Sequence, residues 1–182
     1  MLISAEDTRL LEEIPMKKFS HMTVKDLAVA AVTAALYAAL TLVFAPISYG
    51  AVQFRIAEAL TLLPVLFPQA IPGLAVGCLV SNLIGGYGVW DVVFGTLATL
   101  IAAVMTYGLR KNIWAAAVPP VLVNAVVVGL LLHFVLQLPL LPTMGTVGLG
   151  QIVVVYVLGV PLIYTLSRVP VFRNFAEKLK KE

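Results

Sequence analysis

The feature that most constrains this chain is a succession of long apolar runs that hold very few charges. A helix needs roughly 20 apolar residues to cross a bilayer core of about 30 Å. Runs of that length are Val24–Phe44, Trp90–Leu109, Ile113–Leu136 and Val147–Leu166, and Ile56–Ile84 is longer still. Of the 182 residues, 61% are hydrophobic and 12% charged, whereas soluble domains are about 45–50% apolar. The sequence therefore predicts an all-α integral membrane bundle.

The region Ile56–Ile84 decides whether the chain crosses five or six times. It contains Pro64, Pro68 and Pro72, and proline stops or kinks a helix. Basic residues form three groups, which the positive-inside rule places together in the cytoplasm. Only an even number of spans allows that, so we predict six transmembrane helices, a turn near Phe67–Pro72, and both termini in the cytoplasm. The groups are Arg9, Lys17, Lys18 and Lys25; Arg110 and Lys111; and Arg168, Arg173, Lys178, Lys180 and Lys181.

The two ends of the chain differ in character. Residues 1–16 are mixed and acidic, without the features of a signal peptide, and are expected to form a cytosolic tail. Residues 17–182 are expected to form the membrane domain. The stretch Pro139–Gly150 is expected to be an outer loop, and the single cysteine, Cys78, a small buried hydrophobe.

Polar residues are unevenly distributed along the predicted spans. Gln53, Arg55, Glu58, Asn82, Asp91, His133, Gln137 and Gln151 all fall in the outer half, on five helices. The inner half has almost none besides Gln69 at the turn, and Asn124 lies near the middle. A channel would need polar groups along its whole path. The pattern instead predicts a pocket that is open to the outside and sealed below.

Each candidate also has a structural explanation. Arg55 and Glu58 are spaced i, i+3 and could form an ion pair within one helix. Asp91 begins a helix, where a carboxylate can cap free N–H groups. Gln53, Gln137 and Gln151 lie near helix ends, where polar side chains reach the interface at little cost, and His133 could be an interface or core residue.

Alanines recur every four residues along the first span. Ala31, Ala35 and Ala39 form one small face, and Ala30, Ala34 and Ala38 form a second. Small residues let membrane helices approach closely. One face could therefore dock a partner protein, or both could pack within the bundle.

Enzymatic and ATP-hydrolysing functions lack their motifs in this sequence. It contains no G-x-S-x-G, no H-E-x-x-H and no P-loop, and its two histidines, His21 and His133, are far apart in the predicted topology. We predict that the chain is not an enzyme, binds no metal or cofactor, and does not itself use ATP.

Three ordered segments resemble a known family. They are the run from Gln53 to Pro64 (QFRIAEALTLLP), the run that begins at Asn82 (NLIGG), and the run from Trp90 to Gly95 (WDVVFG). They are similar to the QueT family, the substrate-binding S components of energy-coupling-factor (ECF) transporters. The likeness covers about Lys17 to Lys180.

This resemblance implies a function and a set of partners. It implies a six-helix S-component fold in the bacterial cell (inner) membrane and uptake of a queuosine precursor, queuine or a related deazaguanine. It also implies a transmembrane coupling subunit and two cytosolic ATPases as partners, and docking of that subunit on Ala31, Ala35 and Ala39.

The candidate binding residues suit such a ligand. A guanine-like edge presents adjacent N–H donors that a carboxylate accepts in pairs. We expect Glu58 to be the main ligand carboxylate, supported by Asp91 and Asn82, with Arg55 as the partner that orients Glu58. Asp91 would hold the cation of an aminomethyl precursor. Tyr49, Tyr87 and Trp90 could supply aromatic platforms, and His133 and Gln151 further polar contacts.

Other functions remain open at the level of the sequence. The chain could be an S component for another vitamin or an aromatic amino acid, or a stand-alone secondary transporter. Co-purification with ATPases distinguishes an S component from a secondary transporter.

Overall fold

The computed structural model describes residues 23–49, 53–85, 88–170 and 172, and every regular element in this part of the chain is helical. The predicted tail (residues 1–16) and Tyr87 lie outside the described residues. The elements are α1 (Val24–Val43), α2 (Ala45–Ser48), a 3₁₀ helix (Ile56–Val65), α3 (Ala70–Gly85), α4 (Asp91–Gly108), α5 (Ile113–Leu136) and α6 (Leu140–Arg168).

Four of these helices, α1, α4, α5 and α6, are long and apolar enough to cross a bilayer. The 3₁₀ helix and α3 are shorter apolar helices. Ile56–Ile84 therefore forms two helices joined by a turn, as predicted, but a count of six full spans is not confirmed in the described residues. Large apolar side chains such as Leu141 and Phe134 are exposed on the outside, as fits a bundle that lipid surrounds.

The 3₁₀ helix occupies the centre of the bundle. It contacts α1, α3, α4 and α6 and the first turn of α5, and Ala57 to Val65 are all buried. Pro64 lies inside the helix and, because it has no N–H, interrupts the backbone hydrogen bonds there. The Thr61 hydroxyl donates to the Glu58 carbonyl three residues back, at 2.6 Å. At about 2 Å per residue, these ten residues reach roughly 20 Å.

Helices α1 and α3 pack at close range through small residues. A Cβ added to Gly77 would lie 2.7 Å from the Ala34 carbonyl oxygen, and one added to Gly73 would overlap the Ala30 carbonyl. The second alanine face, with Ala30 buried, thus lies inside the bundle, whereas the first face, formed by Ala31, Ala35 and Ala39, is exposed.

Two local irregularities widen the helices. The first turn of α4 (Asp91–Gly95) and the middle of α6 (Val153–Gly159) are π-helical, a winding that is often found at functional sites. The first of these turns lies beside the buried polar residues described below.

The prediction of a loop over Pro139–Gly150 is wrong, because α6 begins at Leu140. Within this stretch, Gly148 and Met144 face α5. The Met144 side chain fits against Gly129, where an added Cβ would lie 2.5 Å from Met144 Cγ, and a Cβ on Gly148 would meet Ala125 at 3.4 Å. Glycine therefore serves close helix packing here.

Candidate functional site: a buried polar cluster

The 3₁₀ helix holds Glu58 at the centre of the bundle, where its side chain is 1% exposed. Two neutral donors from other helices bind its carboxylate. The Tyr37 hydroxyl of α1 donates to Oε1 at 2.5 Å, and Asn124 Nδ2 of α5 donates to Oε2 at 3.3 Å. Tyr37 and Asn124 are themselves buried. Glu58 therefore joins three elements and has a fixed orientation.

Arg55 lies one turn before Glu58, and residues three apart in a 3₁₀ helix lie on one face. Its NH2 nitrogen pairs with Asp91 Oδ2 at 3.4 Å, and its Nε donates to the Ser48 carbonyl at 3.3 Å. The guanidinium also lies 5.0 Å from the centre of the Tyr49 ring, a cation–π distance. Arg55 and Asp91 are 4% and 2% exposed, so this ion pair is buried.

The third part of the cluster surrounds Asn82 on α3. Its Nδ2 donates to the Asp91 carbonyl at 3.1 Å and to Cys78 Sγ at 3.4 Å. The same sulfur accepts the Thr99 hydroxyl at 3.3 Å. Gly95 makes room for this side chain, since an added Cβ would lie 2.8 Å from Asn82 Nδ2.

Three residues that hydrogen-bond to Arg55 or Asp91 each carry a buried side-chain oxygen that has no hydrogen-bond partner among the described residues. These oxygens are Ser48 Oγ, Gln53 Oε1 and Asn82 Oδ1. Leaving such a group unpaired costs about 1–3 kcal/mol. Gln53 also has a positive φ of 47°, which is uncommon outside glycine and often marks functional positions. Together with the two carboxylates, these oxygens make the cluster rich in acceptors for N–H donors.

The structure brings five of the predicted site residues into this cluster, namely Glu58, Asp91, Asn82, Arg55 and Tyr49. The expected pairing of Arg55 with Glu58 is wrong, because Arg55 reaches across to Asp91 while tyrosine and asparagine donors hold Glu58. The alternative that Asp91 only caps its helix is also wrong, since its carboxylate forms a buried ion pair with Arg55.

The other predicted site residues lie elsewhere. Trp90 is 63% exposed and stacks on Phe94 with ring centres 5.9 Å apart. His133 Nδ1 lies 2.6 Å from the Leu138 carbonyl oxygen. Gln151 is buried, but no described hydrogen bond joins it to the cluster. Tyr87 lies outside the described residues.

Sequence reasoning did not assign Tyr37, Asn124, Cys78 and Thr99 to the site. A signal was present for two of them. Tyr37 and Asn124 carry hydrogen-bonding groups in the middle of apolar runs, where an unpaired polar group is costly and a partner is expected. Cys78 was interpreted as packing, and only the fold shows that its sulfur accepts two hydrogen bonds.

An apolar groove lies apart from this cluster. It has a volume of about 470 Å³ and runs between α1, the 3₁₀ helix and α6, and its lining includes Val32, Leu36, Leu63 and Leu162. Its walls offer almost no hydrogen-bonding groups, so the polar cluster is the better candidate for a polar ligand.

Comparison with known proteins shows the family. The model of the QueT transporter family matches residues 27–168, which include every residue of the buried cluster. The chain belongs to the QueT transporter family. It is also 30% identical over 141 residues to the "Queuosine precursor transporter QueT" of Lactococcus lactis subsp. cremoris (strain MG1363), a match that covers 69% of this chain and 83% of the relative. No solved structure matches the chain.

Family membership confirms two predictions. The family consists of transporters, not enzymes. The four long apolar helices of this chain, together with its transporter family, make it a multi-pass membrane protein. The resemblance that the three motifs carry is confirmed as well, since the matched region contains all of them.

Proposed function

We propose that this chain is the substrate-binding membrane subunit of an ECF-type importer and takes up a queuosine precursor, queuine or a related deazaguanine. Two findings support the substrate. The chain belongs to the QueT transporter family, and the relative from Lactococcus lactis is named as a queuosine precursor transporter.

The observation that carries the proposal is the buried cluster around Glu58. Polar and charged groups inside a membrane bundle are costly and usually mark a substrate path. Here they come from five elements, α1, the 3₁₀ helix, α3, α4 and α5, and include Glu58, Asp91 and the Asn82 Oδ1 acceptor. A guanine-like edge offers adjacent N–H donors and therefore matches this set of acceptors.

The exposed surface of α1 supports a partner. Ala31, Ala35 and Ala39 face outward while the second alanine face packs on α3, and the apolar groove borders α1 on one side. In this proposal a transmembrane coupling subunit docks on the exposed alanines. Two cytosolic ATPases hydrolyse ATP for the complex, since the sequence carries no P-loop.

The proposed topology has six crossings. The 3₁₀ helix and α3 cross as the second and third segments; the short 3₁₀ helix is buried among the other helices, and α3 packs on α1 and α4. Both termini, including the tail of residues 1–16, and the Arg110–Lys111 turn lie in the cytoplasm of a bacterial cell. The positive-inside rule supports this orientation.

A binding experiment tests the substrate and the site together. The purified chain in detergent is titrated with deazaguanines, guanine, vitamins and aromatic amino acids, and we expect tight binding of a deazaguanine. Glu58→Gln keeps the shape but replaces an acceptor by a donor that faces the ligand's own donors. The loss should be about 2 kcal/mol or more, roughly thirtyfold in affinity.

Asp26→Asn is the matched control for this variant. Asp26 is 2% exposed at the start of α1, eleven residues or about 16 Å along the helix from Tyr37. Its replacement makes the same chemical change away from the cluster and should leave the affinity unchanged. Unchanged affinity in monodisperse Glu58→Gln protein would reject the assignment of Glu58.

Co-purification tests the class of transporter. A tagged chain expressed in its own cells should bring down the coupling subunit and the ATPases. Gradient-driven accumulation of the ligand in proteoliposomes by this chain alone would instead establish a stand-alone secondary transporter.

A further inference from the structure

The buried cluster contains three side chains of acidic or basic residues, and their formal charges do not cancel. Arg55, Glu58 and Asp91 are 4%, 1% and 2% exposed. Arg55 pairs directly with Asp91, at 3.4 Å, and the Tyr49 ring that lies against the guanidinium is uncharged. That ion pair is therefore balanced, and the remaining carboxylate belongs to Glu58.

Neutral groups alone hydrogen-bond to the Glu58 carboxylate among the described residues. Tyr37 and Asn124 orient it through one donor each, but neither carries a positive charge. Residues 50–52 and 86–87, which lie outside the described residues, include no basic residue. An ionised Glu58 thus gives the cluster a formal charge of minus one, and a buried charge is unfavourable unless it is paired.

Three buried oxygens without a described hydrogen-bond partner give an independent indication of the kind of ligand that would pair with Glu58. Ser48 Oγ, Gln53 Oε1 and Asn82 Oδ1 are all buried and lack donors among the described residues. An ammonium group supplies three donors and adds no acceptor. Charge and hydrogen bonding therefore favour the same kind of ligand.

We propose that the cluster binds its ligand as a cation, with Glu58 as the counter-charge. This inference rests on the proposed function and narrows it to the precursors that carry an amine, which is protonated at neutral pH. A nitrile or carboxamide in the same position leaves Glu58 uncompensated. Asp91, which sequence reasoning assigned to the cation, is already neutralised by Arg55.

The test uses two deazaguanines that differ in one substituent, an aminomethyl group in one and a carboxamide in the other. The full-length chain in detergent should bind the aminomethyl compound at least tenfold more tightly at neutral pH, which corresponds to about 1.4 kcal/mol. Glu58→Gln should reduce this preference to about twofold or less. Asp26→Asn removes an equally buried carboxylate outside the cluster and should retain the full preference.

If Glu58→Gln protein does not fold, Asp91→Asn tests the role of Glu58 as the counter-charge instead. It frees Arg55 to compensate Glu58, so the preference for the cation should again disappear. A tenfold preference that survives in whichever of these variants folds would overturn the role of Glu58.

The remaining outcomes separate this inference from the proposed function. Equal binding of the two compounds by the wild-type chain, as expected if Glu58 is protonated, overturns the inference and leaves the function intact. Binding of neither compound overturns both.

Discussion

The hydrogen bond between Tyr37 and Glu58 provides a direct test of how the site is built. Tyr37 is 0% exposed, and its hydroxyl lies 2.5 Å from Glu58 Oε1. Tyr37→Phe preserves the ring and its packing but leaves that carboxylate oxygen without its donor. A hydrogen bond to a charged group contributes about 1.5–3 kcal/mol.

This loss should be measurable in both stability and binding. For a chain of this size, 1 kcal/mol shifts Tm by roughly 2–4 °C, so thermal unfolding in detergent should show a decrease of about 3–12 °C. Ligand affinity should fall as well, because Asn124 alone would orient the carboxylate.

Tyr156→Phe is the control, because it removes an exposed hydroxyl that donates to the Trp114 carbonyl at 3.1 Å. A surface change of this kind costs within about 0.5 kcal/mol. A Tyr37→Phe shift no larger than that of the control would refute the idea that this bond holds the carboxylate in place.

Three further predictions concern the site, the partner and the topology. Gly95→Ala should weaken ligand binding more than tenfold, because the new Cβ would lie 2.8 Å from Asn82 Nδ2; wild-type affinity would show that Asn82 can shift at no cost. Ala35→Leu on the exposed face of α1 should reduce uptake into cells while the purified chain binds ligand normally, and an equal loss of binding would mean that the face serves internal packing. Reporter fusions at Lys111 and Glu182 should both read as cytoplasmic, and an external reading at either position would contradict the six-crossing topology.

Sequence reasoning predicted the carboxylates of the site because charge in an apolar run is conspicuous. Glu58, Asp91 and Asn82 lie on three different elements, yet their similar predicted depth was enough to group them. Depth gives no information about the direction in which a side chain points, so Trp90 was grouped with them although its ring lies on the outside.

The pairing of charges depended on a local detail that the sequence does not reveal. Arg55 and Glu58 are neighbours along the chain, and a regular helix favours their contact. In the fold the π-helical turn at Asp91–Gly95 brings Asp91 to Arg55, and Tyr37 and Asn124 meet the carboxylate of Glu58 instead.

The winding of the helix that carries Glu58 is a second detail that the sequence did not reveal. An α-helix that ran from Gln53 to the predicted turn at Phe67 would have about 15 residues and reach roughly 22 Å. The observed ten-residue 3₁₀ helix reaches nearly the same distance with fewer residues, since its rise is larger. Hydropathy therefore indicated a short apolar helix of about the observed length here, but not its winding.

The 3₁₀ winding also means that the segment that carries Glu58 is stretched relative to an α-helix. Rewinding Ile56–Val65 as an α-helix would shorten it by about 5 Å, because the rise per residue falls from about 2.0 to 1.5 Å. Its far end is tied to α3 by the hydrogen bond from Ala70 N to the Phe67 carbonyl. The shortening would therefore draw Arg55 away from Asp91 and move Glu58 along the bundle axis, so that one change of winding would both break the ion pair and relocate the carboxylate.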